Sequence, residues 1–142
     1  MILYIDTSAM VKKYIKEQDS NHVLAWVDSA DLIGTALVTR AEMAATLTRA
    51  VKASRLSKQG VNQTLENFRS DWQHIHRILI DETLVARADT LACVYGLRGY
   101  DAIHLACGLT WQDALQLPVA FATFDAKLRD AAQKAGLQVL PE

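Results

Sequence analysis

Apolar positions along the chain follow two alternating rhythms: short unbroken runs, and longer stretches in which they return every three or four residues. The first run, Ile2-Leu3-Tyr4-Ile5, ends in Asp6-Thr7-Ser8. A short apolar run followed by helical spacing predicts a buried parallel strand. Residues 8–17 carry that helical spacing, and Val23, Leu24 and Val27 mark a second short helix around 21–29. Asp31-Leu32-Ile33-Gly34-Thr35 predicts another strand, followed by an alanine- and leucine-rich helix from about residue 37 to 54. A further helix over 57–74 starts at a serine and continues through Val61, Leu65, Phe68 and Trp72. Arg77-Ile78-Leu79-Ile80 predicts a third strand, with Asp81 capping a helix over 82–96 that ends near Gly96 and Gly99. From Asp101, Ile103, Leu105, Ala106 and Leu109 form the apolar side of the next helix. Residues 119–123 and 137–140 predict the last two strands, separated by a helix from Asp125 to about Ala135 that Gly136 stops.

Strands alternating with helices, with no internal repeat or low-complexity linker, predict a single domain over 1–142. Its class is α/β, a three-layer α/β/α sandwich around a mostly parallel five-stranded sheet. Right-handed crossovers then bring the carboxyl ends of the strands to one edge, where open parallel sheets bind ligands. At 142 residues, 51% hydrophobic and 22% charged, the chain can bury a full core. A formal net charge of -1 supplies no global basic field, so a nucleic-acid partner has to be held by a local patch or through a metal. No apolar stretch approaches the roughly 20 residues of a membrane span, and the first strand lacks the flanks of a secretory signal, so a soluble cytoplasmic protein is expected. Cys93 and Cys107 lie in helical patterns without CxxC spacing and are expected to be buried free thiols.

The chemistry concentrates in carboxylates. Asp6 follows the first strand and Asp125 follows the apolar run 119–123, so both are expected at the same sheet edge. Asp101 opens a helix in Gly99-Tyr100-Asp101-Ala102-Ile103-His104, and Glu42 lies in the first turns of another, in Thr39-Arg40-Ala41-Glu42. Two carboxylates about 5 Å apart repel by roughly 3 kcal/mol at an effective dielectric of about 20. A convergent set therefore requires a cation. Oxygen-only ligands suit Mg²⁺ or Mn²⁺ better than zinc, and Mg²⁺ combines a few carboxylates with waters and phosphate oxygens. Phosphate chemistry is the leading expectation. Each acid also has a structural alternative. Asp6, Asp101 and Asp125 stand where helix caps do, and Glu42 falls at capping-box spacing from Thr39. His104 is expected as a satisfied, partly buried histidine. Ser8 and Thr123 are expected either to orient carboxylates or to satisfy backbone groups.

In these residues the chain resembles the PIN-domain nucleases. Asp6-Thr7-Ser8, Thr39-Arg40-Ala41-Glu42, Tyr100-Asp101-Ala102-Ile103-His104-Leu105-Ala106 and Thr123-Phe124-Asp125 appear in that family's order and approximate spacing. Within the family the chain is most similar to VapC-type toxins of bacterial and archaeal toxin–antitoxin pairs, over essentially its whole length. The resemblance implies that Asp6 and Asp101 are the principal metal ligands. Glu42 and Asp125 would complete the pocket directly or through water, and the metal would be Mg²⁺ or Mn²⁺. It implies an endoribonuclease that hydrolyses phosphodiesters in structured RNA such as tRNA or rRNA, inhibits translation, forms a homodimer and is neutralised by a VapB-type antitoxin.

For holding RNA, Lys12, Lys13, Lys16, Arg40 and Arg98 lie within a few turns of the expected site, whereas Arg69, Arg87 and Lys134 are read as solvating helices. Val11, Tyr14, Ile15, Val23, Trp26 and Val27 are more apolar than one thin helix pair requires. They are expected mainly in the core, with some available to an interface. Among rivals, a phosphoacceptor receiver domain would use Asp81 but expects paired acids after the first strand, and a haloacid-dehalogenase phosphatase needs a second Asp where Ser8 stands. GxxxxGK[ST] and GxGxxG are absent. The alternative of another class is a catalytically silent PIN-like scaffold that binds RNA or protein and uses its acids only as caps.

Overall fold

In the computed structural model, which describes residues 1–53 and 56–142, every predicted strand and helix is present, with ends displaced by up to three residues. The order is β1 (Ile2–Ile5), α1 (Thr7–Tyr14), α2 (Ser20–Ser29), β2 (Leu32–Ala36), α3 (Thr39–Lys52) and α4 (Lys58–Asp71). A 3₁₀ turn (Trp72–His74) leads to β3 (His76–Ile78), α5 (Glu82–Tyr95), α6 (Gly99–Leu115), β4 (Val119–Ala122), α7 (Ala126–Lys134) and β5 (Gln138–Leu140). The helix expected over 57–74 tightens into the 3₁₀ turn over its last three residues. The expected end of α3 at residue 54 lies outside the described residues.

All strand pairs are parallel, in the order β3-β2-β1-β4-β5. The chain therefore winds outward from β1 in one direction, then returns to the other side of β1 with β4. That reversal falls between β1 and β4, and the crevice outside the strand carboxyl ends at such a point is where doubly wound sheets bind ligands. Asp6 N–H donates to the Ala122 carbonyl at 3.1 Å, which holds the two strand ends together.

Side-chain alternation explains why β1 reads as continuously apolar. Leu3 and Ile5 pack on one face among Met10, Val23, Met43, Leu47 and Phe68, under α1 to α4. Tyr4 packs on the other among Leu105, Phe121 and Leu128, under α5 to α7. Burial of each such side chain contributes about 1.5–3 kcal/mol, and a strand covered on both faces must be apolar at every position. Tyr4 and Phe121 stack with centroids 4.8 Å apart and planes 3° from parallel, locking β1 to β4. Two glycines allow close packing on this layer. A Cβ at Gly108 would lie 2.7 Å from the Phe121 ring, and one at Gly34 2.5 Å from Trp111.

Val11, Tyr14, Ile15, Trp26 and Val27 are partly buried against the first of these faces, and Val23 is fully buried. Cys107 is buried, and burial pushes its thiol up to about 12. Cys93, expected inside, is exposed. Leu84 and Ala88 set the inward face of α5, and position 93 falls off that stripe. No helix among the described residues is long and apolar enough to cross a membrane.

Candidate active site

The crevice between β1 and β4 is built first around Asp6. As N-cap of α1 it has extended backbone, and its Oδ1 accepts hydrogen bonds from Ala9 N–H at 2.9 Å and Ser8 Oγ at 2.7 Å. Thr123, just past β4, donates its hydroxyl to Oδ2 at 2.6 Å. The cap and site-acid readings of Asp6 are thus compatible, since one oxygen serves the helix while the other faces Thr123. Asp6 is 4% exposed, and among the described residues no lysine or arginine pairs with it. Burial raises its carboxyl above the ordinary aspartate value. The charge of His104 and the bonds from Thr123, Ser8 and Ala9 pull the other way without prevailing.

Asp125 joins this group through Thr123, whose Oγ1 also accepts the Asp125 N–H at 3.1 Å. Ser8 Oγ likewise accepts the Phe124 N–H at 2.9 Å. Asp125 caps α7 through Oδ1, which accepts Leu128 N–H at 2.8 Å, and its Oδ2 accepts from Arg98 at 3.3 Å. Asp101 is not a cap. Arg98 occupies the N-cap position of α6, which places Asp101 in the first turn, where the helix N-terminus favours a negative charge. Its Oδ2 accepts Arg98 Nε at 2.8 Å. Arg98 therefore ties Asp101 to Asp125, while its guanidinium lies 4.8 Å from the Tyr100 ring centroid. The bond and charge of Asp101 hold the guanidinium even more firmly protonated than usual.

Glu42 belongs to a second, adjoining group. The capping-box alternative does not hold, because Val38 is the N-cap of α3 and Thr39 turns its hydroxyl to Thr35 at 2.8 Å. The Glu42 carboxylate instead accepts Thr7 Oγ1 at 2.9 Å and His104 Nε2 at 2.7 Å, both on Oε1. His104 is 2% exposed, and its Nδ1 meets Tyr4 Oη at 2.8 Å. Burial pushes the Glu42 carboxyl up, yet the bond and charge of His104 and the bond from Thr7 outweigh it, leaving the acid below its ordinary value. His104, expected as a satisfied and partly buried histidine, is satisfied at both nitrogens and more deeply buried than expected, whereas Thr7 and Tyr4 are neighbours to which the sequence assigned no role. One signal for Tyr4 was available: it precedes Asp6 by two residues along the extended chain, and alternation turns such residues to one face.

The basic residues expected at the rim are mostly engaged by the protein itself. Lys12 donates to Glu17 at 3.1 Å and to the Gln18 carbonyl at 3.0 Å, and its ammonium lies 4.7 Å from the Phe124 ring centroid. Lys13 donates to Asp71 and Tyr14. Arg98 is committed to the two aspartates rather than standing clear of them. Arg40 is exposed on a groove between α3 and α4 with Leu37, Ala44, Leu65 and Arg69, and Lys16 is exposed.

Hard oxygen donors and a buried Asp6 carrying neutral donors but no counter-ion fit a small divalent cation in donor chemistry. Among the described residues, no three acidic, histidine or cysteine side chains form a ready-made ligating group. The cation between Asp101 and Asp125 in this arrangement is the Arg98 guanidinium, which suits paired carboxylates by its planar fork of donors.

Residues 3–134 match the family model described as PIN domain. The chain is 28% identical over 140 residues to the ribonuclease VapC45 of Mycobacterium tuberculosis, covering 99% of this chain and 95% of that protein. Its fold is similar to that of FitAcB from Neisseria gonorrhoeae, with a TM-score of 0.66 at 19% identity, covering 97% of this chain and 96% of the other. A toxin–antitoxin complex from Klebsiella pneumoniae gives a TM-score of 0.57 at 18% identity, with 84% of each chain covered.

Proposed function

The chain belongs to the PIN-domain family, and from that membership we propose that it is a VapC-type endoribonuclease, the toxin of a toxin–antitoxin pair, cleaving phosphodiesters in structured RNA such as tRNA or rRNA and so inhibiting translation. Its relatives named as ribonucleases support the nuclease class. The observation that carries the reading is the buried Asp6 at the β1–β4 crevice, bonded by three neutral donors and joined through Thr123 to Asp125.

Asp6 and Asp101 are the residues that would hold Mg²⁺ or Mn²⁺, with Glu42 and Asp125 completing the pocket directly or through water. A bound divalent cation supplies positive charge for the scissile phosphate and acidifies a coordinated water. Ser8 and Thr123 fix the plane of the Asp6 carboxylate, so it need not reorganise when charge develops nearby. Glu42 keeps Oε2 free of protein partners among the described residues and can orient a water with it. Arg98 must release Asp101 and Asp125 when these acids take up a cation. Lys12, Lys13, Arg40 and Arg98 are the cationic groups we assign to the RNA backbone.

The partner is a VapB-type antitoxin that would cover the acidic pocket, and the toxin acts as a cytoplasmic homodimer. The similar fold in the Klebsiella pneumoniae toxin–antitoxin complex supports the pairing with an antitoxin. The test is to express the intact chain and Asp6→Asn in cells and to map RNA ends. New ends confined to the intact chain identify the substrate. Identical ends in both would sink the proposal.

A further inference from the structure

Glu42 Oε1 receives two donors, one from α1 and one from α6, while Oε2 receives none among the described residues. The donor on α6 is held in turn. His104 side-chain exposure is 3%, its ring lies edge-on to Tyr4 with planes 76° apart, and its Nδ1 is engaged by the Tyr4 hydroxyl. Tyr4 itself is fully buried and stacked on Phe121. An imidazole gripped at both nitrogens has one orientation, and an ionised carboxylate accepting at Nε2 requires a hydrogen there. We infer that His104 is a positioning residue for the reaction. Backed by Tyr4, it anchors Glu42 through Oε1, so that this acid presents a single oxygen, Oε2, to the cation or water of the site.

The inference rests on the nuclease reading for its consequence, but its geometry belongs to the protein alone. Thr7 by itself would leave Glu42 free to rotate about one hydrogen bond. Groups that orient a ligating side chain typically change metal affinity or activity by about 10–100-fold when removed.

The experiment compares the full chain with His104→Leu, His104→Gln and Tyr4→Phe. It reads kcat and KM on the mapped RNA, Mn²⁺ affinity by electron paramagnetic resonance, and melting temperature. Because the Gln amide nitrogen can reach the position of Nε2, His104→Gln is expected to restore most of what His104→Leu loses. His104→Leu is expected to lower kcat about 10–100-fold with KM for RNA within about twofold, and to weaken Mn²⁺ binding by a similar factor to kcat. Tyr4→Phe is expected to fall between. Should His104→Leu fail to fold, the comparison of His104→Gln with Tyr4→Phe decides: Mn²⁺ affinity must fall in Tyr4→Phe and hold in His104→Gln. Unchanged kcat and Mn²⁺ affinity in a folded His104→Leu, or equal impairment of the Gln and Leu variants at equal melting temperature, would overturn the role while leaving the nuclease intact. An unaltered chain that binds Mn²⁺ but cleaves no RNA would overturn the nuclease reading, and the affinity series would still support or reject His104. An unaltered chain that binds no Mn²⁺ would overturn both.

Discussion

Replacing Asp6 with asparagine separates what this residue does for folding from what it does for chemistry. The Asp6 carboxylate accepts three hydrogen bonds, at 2.6, 2.7 and 2.9 Å. Hydrogen bonds to a charged group contribute about 1.5–3 kcal/mol each, whereas burying an ion costs several kcal/mol. The upward displacement of its carboxyl says that burial prevails. Asparagine keeps its oxygen for Ser8 and Ala9 and turns its NH₂ toward Thr123 Oγ1, which can redirect its own hydrogen to Ser8 Oγ, 3.4 Å away. Three neutral bonds then remain and the buried charge is gone. The metal-free variant should gain about 1–2 kcal/mol at pH 7, or roughly 2–8 °C in melting temperature for a chain of this size.

The pH dependence has a definite sign. For an acid whose folded value is raised, the stabilising contribution is complete below the unfolded value and lost as pH rises through the folded one. The gap between variant and unaltered chain should therefore narrow as pH is lowered from 7 toward 4, other groups being common to both. If the site takes Mg²⁺ as proposed, the ion at about 100 times its dissociation constant should add about 2.7 kcal/mol to the unaltered chain only and reverse the order. Calorimetric melts in EDTA and in Mg²⁺ at several pH values test this directly. A lower midpoint for Asp6→Asn in EDTA at pH 7, or a gap that widens on acidification, would refute the account of Asp6 as a buried charge that its neighbours compensate only in part.

Two further outcomes follow from the same geometry. Arg98→Gln leaves Asp101, which is buried, without its cation, so the metal-free midpoint should fall in a thermal scan. Mn²⁺ affinity should rise because the guanidinium no longer holds Asp101 and Asp125, and weaker binding by titration calorimetry would contradict that competition. Gly108→Ala places a methyl 2.7 Å from Phe121, which is fully buried and cannot retreat from Tyr4. Overpacking of about 1–3 kcal/mol, offset by up to about 1 kcal/mol of helix propensity, leaves a net loss of up to about 3 kcal/mol and should lower the melting temperature by up to roughly 12 °C in a thermal scan.

Local chemistry was enough to write the order of elements into the sequence. Apolar runs that must be buried on both faces gave β1 and β4, Asp6, Asp81 and Asp125 marked the starts of α1, α5 and α7, and Gly96, at φ 63, marked the end of α5. Asp6 and Asp125 stood out for the same reason, as carboxylates after strand ends against an apolar background, whereas Asp101 and Glu42, inside helices, were singled out by the family resemblance. Their pairings were not legible, because a hydrogen bond between residues 62 or 117 positions apart depends on which strands become neighbours. Only the β3-β2-β1-β4-β5 order sets Thr123 beside Asp6. Only the packing of α6 across the sheet brings His104 to Tyr4 and Glu42 and turns Arg98 onto two aspartates. Cys93 and Thr39 make the same point from the other side, since spacing alone suggested a buried thiol and a capping box. Propensity and hydrophobic rhythm act within a few residues, whereas burial, charge compensation and the direction of a side chain are set by whatever the fold places opposite.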